Sequence, residues 1–203
     1  MYDGLIKKHT PSADRASKAE GGVEDHLTEG AVQVAFAMHL LTTVVGLMHV
    51  AIHPDGEHAK QFDFEGWLAG QGFAHESTTG TKLYAGIYRH ADGRTVLINP
   101  KSGIGDVLAD HLGQGYVAEC KGGVVNSRHS GQLSRLRKGL CEAVGLSMAV
   151  EKHPGRRQFA VVPNTPTTLA LAEKLSKRSA EAGIEIVLVD ASGRIVPVPV
   201  VHY

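Results

Sequence analysis

The longest apolar pattern in the chain runs through its N-terminal third. Leu27, Ala31, Val34, Met38, Leu41, Val45, Met48 and Ile52 recur at alternating spacings of four and three, which predicts a helical seam that packs against another helix. Glu24 and Asp25 stand in the expected first turn, where carboxylates complement the helix dipole. After Glu29 no formally charged residue occurs before Asp55. The pattern leaves open whether one helix runs through or breaks near Thr42-Thr43. The stretch is long enough to cross a bilayer. Gln33, His39, Thr42, Thr43 and His49 interrupt it and no basic cluster flanks it, so a buried or dimer-forming helix is expected and not a membrane anchor. Residues 1–22 are polar and read as a flexible lead-in.

Beyond residue 60 the period changes repeatedly. Phe64, Trp67 and Leu68 mark a short helix that stops at Gly70 and Gly72. Segments 82–90 and 94–98 read as a hairpin about an Asp-Gly turn, and 104–111 and 116–121 as a second about Leu112-Gly113-Gln114-Gly115. Leu133, Leu136, Leu140 and Val144 then trace one helical face. A strand over 158–163, a helix capped by Thr165-Pro166 and ended by Gly183, a strand over 184–189 and an apolar segment over 195–201 complete the chain. The expected organisation is a lead-in over 1–22, a helical segment over 23–59 and an α/β core over 60–203.

Candidate chemistry concentrates in the second hairpin. Strand alternation turns Val117, Glu119 and Lys121 to one face and Tyr116, Ala118 and Cys120 to the other. Asp106 lies on the preceding run and can face Glu119. Two carboxylates in a protein interior repel each other and persist when something neutralises them. A divalent cation does so: Mg²⁺ takes hard oxygen ligands, keeps several waters and uses only one or two protein carboxylates. A neighbouring lysine can position or deprotonate a water, or stabilise charge on a phosphate.

Gly105-Asp106-Val107, followed by Glu119-Cys120-Lys121, resembles the motif of the PD-(D/E)XK nuclease superfamily, with glycine where that family often has proline. The resemblance implies a restriction-endonuclease-like αβββαβ core with a central mixed sheet flanked by helices, here with an N-terminal helical extension. It implies a Mg²⁺-dependent phosphodiesterase acting on DNA, with Mn²⁺ able to substitute, and Asp106, Glu119 and Lys121 as its catalytic residues. Asp106, Glu119 and the backbone carbonyl of Cys120 would hold the metal. Glu65 or Glu29, and more weakly Glu76, would supply the accessory acid of the first core helix, and Gln132 matches a glutamine of the helix after the triplet in several subfamilies. The alternative is a non-catalytic protein of the same fold that binds nucleic acid or a protein partner. A homodimer would suit cleavage of both strands. Pro54-Asp55, followed by Glu57 and Lys60, is a second Pro-Asp pair, set aside because it is turn chemistry without a strand partner.

Charge and cysteine content sharpen this picture. The 21 basic and 21 acidic residues cancel, so a nucleic-acid enzyme of this composition must gather its positive charge locally. Arg128, Arg135 and Lys138, beside Gln132, form the expected phosphate-binding face, and a solvated helix face is the plain alternative for each. The two cysteines, Cys120 and Cys141, indicate neither a disulfide framework nor a zinc ribbon, and with no secretory pattern at the N-terminus they favour a reducing cytoplasm. His49, His53 and His58 cluster loosely, without the glutamate of a zinc-protease helix between the first two.

Overall fold

A computed structural model describes residues 2–56, 58–100 and 103–199, so Glu57 and the end of the 195–201 segment lie outside the described residues. The N-terminal part contains β1 (Ile6–His9), α1 (Ala13–Ala16), β2 (Glu24–Leu27), α2 (Glu29–Thr43) and β3 (His49–Ile52). α3 (Phe64–Gly70), β4 (Phe73–Thr78), β5 (Gly86–His90) and β6 (Thr95–Ile98) follow, then β7 (Val107–His111), β8 (Gln114–Cys120) and β9 (Gly123–Val124). The chain ends with α4 (Ser130–Ala149), β10 (Arg156–Pro163), α5 (Pro166–Glu181), β11 (Ile184–Val189) and β12 (Ile195–Pro197).

Nine strands form one mixed sheet in the order β12-β11-β10-β8-β7-β3-β6-β5-β4, while β1, β2 and β9 form a small antiparallel sheet. At the centre, β3 is antiparallel to β7 and β7 to β8, whereas β8 is parallel to β10 and β10 to β11. α4 and α5 make the two parallel crossovers, as parallel neighbours require. Strand alternation separates two cores: Phe159, Val161, Val187 and Val189 pack on the α2 side, and Ala160, Val162, Ile186 and Leu188 on the side of α4 and α5. The expected α/β class is therefore present, as a large mixed sheet flanked by helices.

The helix expected over the Leu27 to Ile52 seam is shorter than its pattern. Glu24 and Asp25 belong to β2, Thr28 caps α2 by accepting from the Ala31 N–H at 3.2 Å, and Glu29 occupies the first turn. Twelve of the fifteen α2 residues are buried, the signature of a helix enclosed on all sides. The helix stops where Thr42 and Thr43 turn their hydroxyls back onto the Met38 and His39 carbonyls and Gly46 adopts a positive φ. Val45 is 92% exposed, and Val50 and Ile52 point inward from a strand. Four-and-three spacing thus spanned a strand, a helix and a strand. Six of the eight seam residues are buried within the fold, and Val45 and Met48 are exposed at its end. Among the described residues no helix is long and apolar enough to cross a membrane.

Two further expectations change. Residues 2–22 are docked: Leu5 is buried, the Trp67 indole N–H donates to the Asp3 carbonyl at 2.9 Å, and β1 pairs along the whole of β2. The boundary expected at residue 59 runs through one core, since β3 lies between β6 and β7 and α2 packs on the strands that follow.

The β7–β8 hairpin forms as expected, closing on Leu112-Gly113 with His111 opposite Gln114. Both turn residues have positive φ, 53° and 79°, the requirement of a type I′ turn. Leucine is strained there by roughly 1–2 kcal/mol, whereas asparagine visits that region readily. Leu112 is 92% exposed, so Leu112→Asn loses no packing and should stabilise the protein by about 1 kcal/mol. Urea unfolding checks this, and a lower midpoint in the variant would contradict it.

Candidate active site

Asp106 stands one residue before β7, where its backbone is held from both sides. Its N–H donates to the Ala118 carbonyl at 2.8 Å, and its carbonyl accepts from the His53 N–H at 2.7 Å. The side chain then reaches across the strand end, with Oδ2 accepting the Cys120 N–H at 2.7 Å. Gly105 permits this approach: a Cβ there would lie 2.7 Å from Val117 Cγ1 and 3.0 Å from the Ala118 carbonyl.

Glu119 and Asp106 line one cavity of about 360 Å³. Burial, then the Asp106 charge, pushes the Glu119 carboxyl up to about 7, against the opposing pull of Lys121. Cys120 turns its side chain into the α2 core, where it is fully buried and its thiol is pushed up chiefly by that burial. Its N–H and carbonyl share the Asp106 side of the strand, because Lys121 N–H bonds the Val161 carbonyl on the other.

Lys121 is brought to the N-terminus of α2 by the glycine behind it. A Cβ on Gly122 would sit 2.5 Å from the Glu29 nitrogen and 2.6 Å from the Leu27 carbonyl, so only glycine lets the chain pass so close. Lys121 Nζ lies 3.4 Å from both Glu29 Oε2 and Glu142 Oε1. Burial disfavours its charged form, but Glu29, Asp106 and Glu142 outweigh that and hold the ammonium above its ordinary range.

Of the accessory acids considered, Glu29 joins this group. Glu65 is exposed on α3 and acts on the field around Tyr88, and Glu76 is ion-paired with Arg89 at 2.9 Å on the β4–β5 edge. Arg135 and Lys138 line a cavity of about 390 Å³ with Lys121, Glu29 and Glu142. Arg128 does not line it, and its N–H bonds the Lys18 carbonyl. Gln132 corrects the picture of an outward polar face: it is buried and donates to Glu24 Oε1 at 3.1 Å.

Glu24 is the residue that the sequence did not reveal. Its side chain is wholly buried and accepts from both the Nε and the Nη2 of Arg15, from Gln132 and from His26. The Arg15 hydrogen bonds, against the opposing effect of burial, hold its carboxyl at about 2. This buried acid ties α1, β2 and α4 together beside the Lys121 cavity. No spacing rule links positions 9 and 108 residues apart.

The Pro54-Asp55 turn also needs revision. It follows β3 and lines the same cavity as Asp106 and Glu119, as does His53. His49 and His53 turn their Nδ1 atoms to different partners. His49 Nδ1 meets Thr95 Oγ1 at 2.6 Å, His53 Nδ1 meets the Asn99 carbonyl at 3.0 Å, and the His58 side chain lies outside the described residues.

Among the described residues no group of three or more His, Cys, Asp or Glu side chains is arranged to hold a metal. The pair of hard oxygen donors, one held partly protonated near neutrality by burial and by its neighbour, suits a cation of the Mg²⁺ kind, which needs few protein ligands. Comparison with protein-family models, curated proteins and solved structures returned no match for this chain.

The Glu119 shift fixes the sign of a pH effect. A carboxyl raised from 4.5 to about 7 contributes stability that is present below pH 4.5 and is lost as pH rises through 7. In chelator, Glu119→Gln should therefore melt several degrees above the wild type at pH 8, with the gap closing towards pH 4.5. Thermal unfolding across pH measures it, and a gap independent of pH would contradict the assignment.

Proposed function

We propose that this chain is a metal-dependent phosphodiesterase of the PD-(D/E)XK type that cleaves DNA. The observation that carries the reading is the strand-end constellation: Asp106 bonded to the Cys120 N–H, Glu119 in the same cavity, and Lys121 two residues on, held by Glu29. The elements α2, β3, β7, β8, α4 and β10, antiparallel twice and then parallel, support it, because with α3 and β4 to β6 read as an insertion after β3, and β9 as a short one after β8, they follow the αβββαβ order that the resemblance implies. On this reading α2 is the first core helix and not an extension, and Glu29 is its acid.

Asp106, Glu119 and the Cys120 carbonyl would hold a Mg²⁺ or Mn²⁺ ion, which supplies when bound a lowered pKa for its water and positive charge at the phosphate. Glu119 must release its proton to take part, so binding strengthens as pH rises through about 7. Lys121 acts as a charge and not as a base, since the acids around it keep it protonated. It neutralises charge that develops on the phosphate, and Glu29 and Glu142 fix its position. Arg135 and Lys138 hold neighbouring phosphates. The second reading, a non-cutting protein that binds nucleic acid through the same surface, is favoured by one observation, the sharing of Lys121 between two acids.

Cleavage of supercoiled plasmid with Mg²⁺ or Mn²⁺ tests the proposal. Asp106→Ala, Glu119→Ala and Lys121→Ala should each lower the rate by about 10²-fold or more, and chelator should abolish it. Activity that survives all three substitutions would sink the assignment, and DNA binding without cleavage by the wild type would select the second reading.

A further inference from the structure

The Lys121 cavity continues past α2. Gln61 lines both that cavity and a larger one of about 860 Å³ between β1 and α3. Lys7, Lys60 and Phe62 stand on the walls of the second. The Trp67 indole bond to the Asp3 carbonyl ties α3 to the chain just before β1. Two acids, Asp3 and Asp63, also line it; the Asp63 carboxylate caps α3 by accepting from the Gly66 N–H at 2.9 Å, and Asp3 is exposed at the rim.

The small sheet contributes to the walls of both cavities. Lys7 stands opposite His26 in the β1–β2 register, and directly opposed residues share a face. His26 lines the Lys121 cavity. His9 falls on the same face by alternation, and its ring meets that of His26 edge-on with centroids 5.5 Å apart. Lys8, on the other face, is neutralised by Asp25 at 3.0 Å. Lys7 is exposed and takes part in no ion pair among the described residues. Lys138 and Arg135 on the first cavity and Lys7 and Lys60 on the second are therefore spread in a row along one surface, while Lys121 and His26 between them are bonded to Glu29, Glu142 and Glu24. Such a row, longer than one phosphate needs, matches a polyanion with regularly repeated charge.

We propose that the β1–β2 face and α3 clamp the phosphate backbone of a DNA strand as it runs on from Lys121, with Lys7 holding a phosphate beyond the reacting one. This rests on the phosphodiesterase reading, and the two can fail separately.

The test is fluorescence anisotropy of a fluorescein-labelled DNA duplex of about two helical turns, titrated with the full chain in Ca²⁺ at several salt concentrations. Lys7→Gln is compared with Lys8→Gln, which removes the same charge from the opposite face. Lys7→Gln should weaken binding about fivefold at physiological salt and reduce the magnitude of the log–log salt slope by about 0.9, the share of one phosphate contact. Lys8→Gln should change neither. Equal effects of the two variants, no effect of Lys7→Gln, or a wild type that binds no DNA would each overturn the clamp. If Lys7→Gln is silent while Asp106→Ala still abolishes plasmid cleavage, only the clamp fails. If Lys7→Gln flattens the slope of a wild type that never cuts, the clamp stands and the catalytic reading falls.

Discussion

Two carboxylates are forced together where β7 begins and β8 ends, and the rest of the molecule is organised around tolerating them. Asp106 cannot withdraw, because its backbone is hydrogen-bonded on one side to β8 and on the other to the residue after β3. Glu119 cannot withdraw either, because strand alternation fixes the side of the sheet on which it emerges. Burial and proximity make the second charge costly, and the protein meets that cost partly by leaving Glu119 protonated near neutrality. A site that is uncomfortable when empty of positive charge is well suited to taking some up.

The surrounding fold supplies compensation in layers. Lys121 brings one positive charge, but it is shared with Glu29 and Glu142, so the local balance stays acidic. That sharing needs the α2 N-terminus close to the β8 end, which in turn needs glycine at 122. α2 itself is held by burial on nearly every side. Farther out, Glu24 locks α1, β2 and α4 into one unit through Arg15 and Gln132. The residues around Asp106 and Lys121 are therefore placed by the same contacts that hold the fold together.

Local chemistry made the site legible and long-range contacts hid its frame. The β7–β8 hairpin, the faces of Glu119 and Cys120, the cap of α5 and the strand–helix–strand ending all follow from alternation, turn residues and caps within a few positions. The seam misled because spacings of four and three are also met by a strand, a wholly buried helix and another strand in succession, and only burial tells them apart. β4 escaped notice because Phe73 is its one buried residue, and β1 because three of its four residues are exposed. The roles of Glu24 and Gln132, and the place of Asp55 beside Asp106, come from pairings that no local pattern encodes.

On the proposed reading, Asp106 and Glu119 together hold one divalent cation. Mn²⁺ titration followed by electron paramagnetic resonance tests it directly, because unbound Mn²⁺ is counted from its own signal. One Mn²⁺ should bind per chain, with affinity rising as pH increases through about 7, and that binding should be lost in both Asp106→Asn and Glu119→Gln. Binding that persists in either variant, or that does not respond to pH, would contradict it.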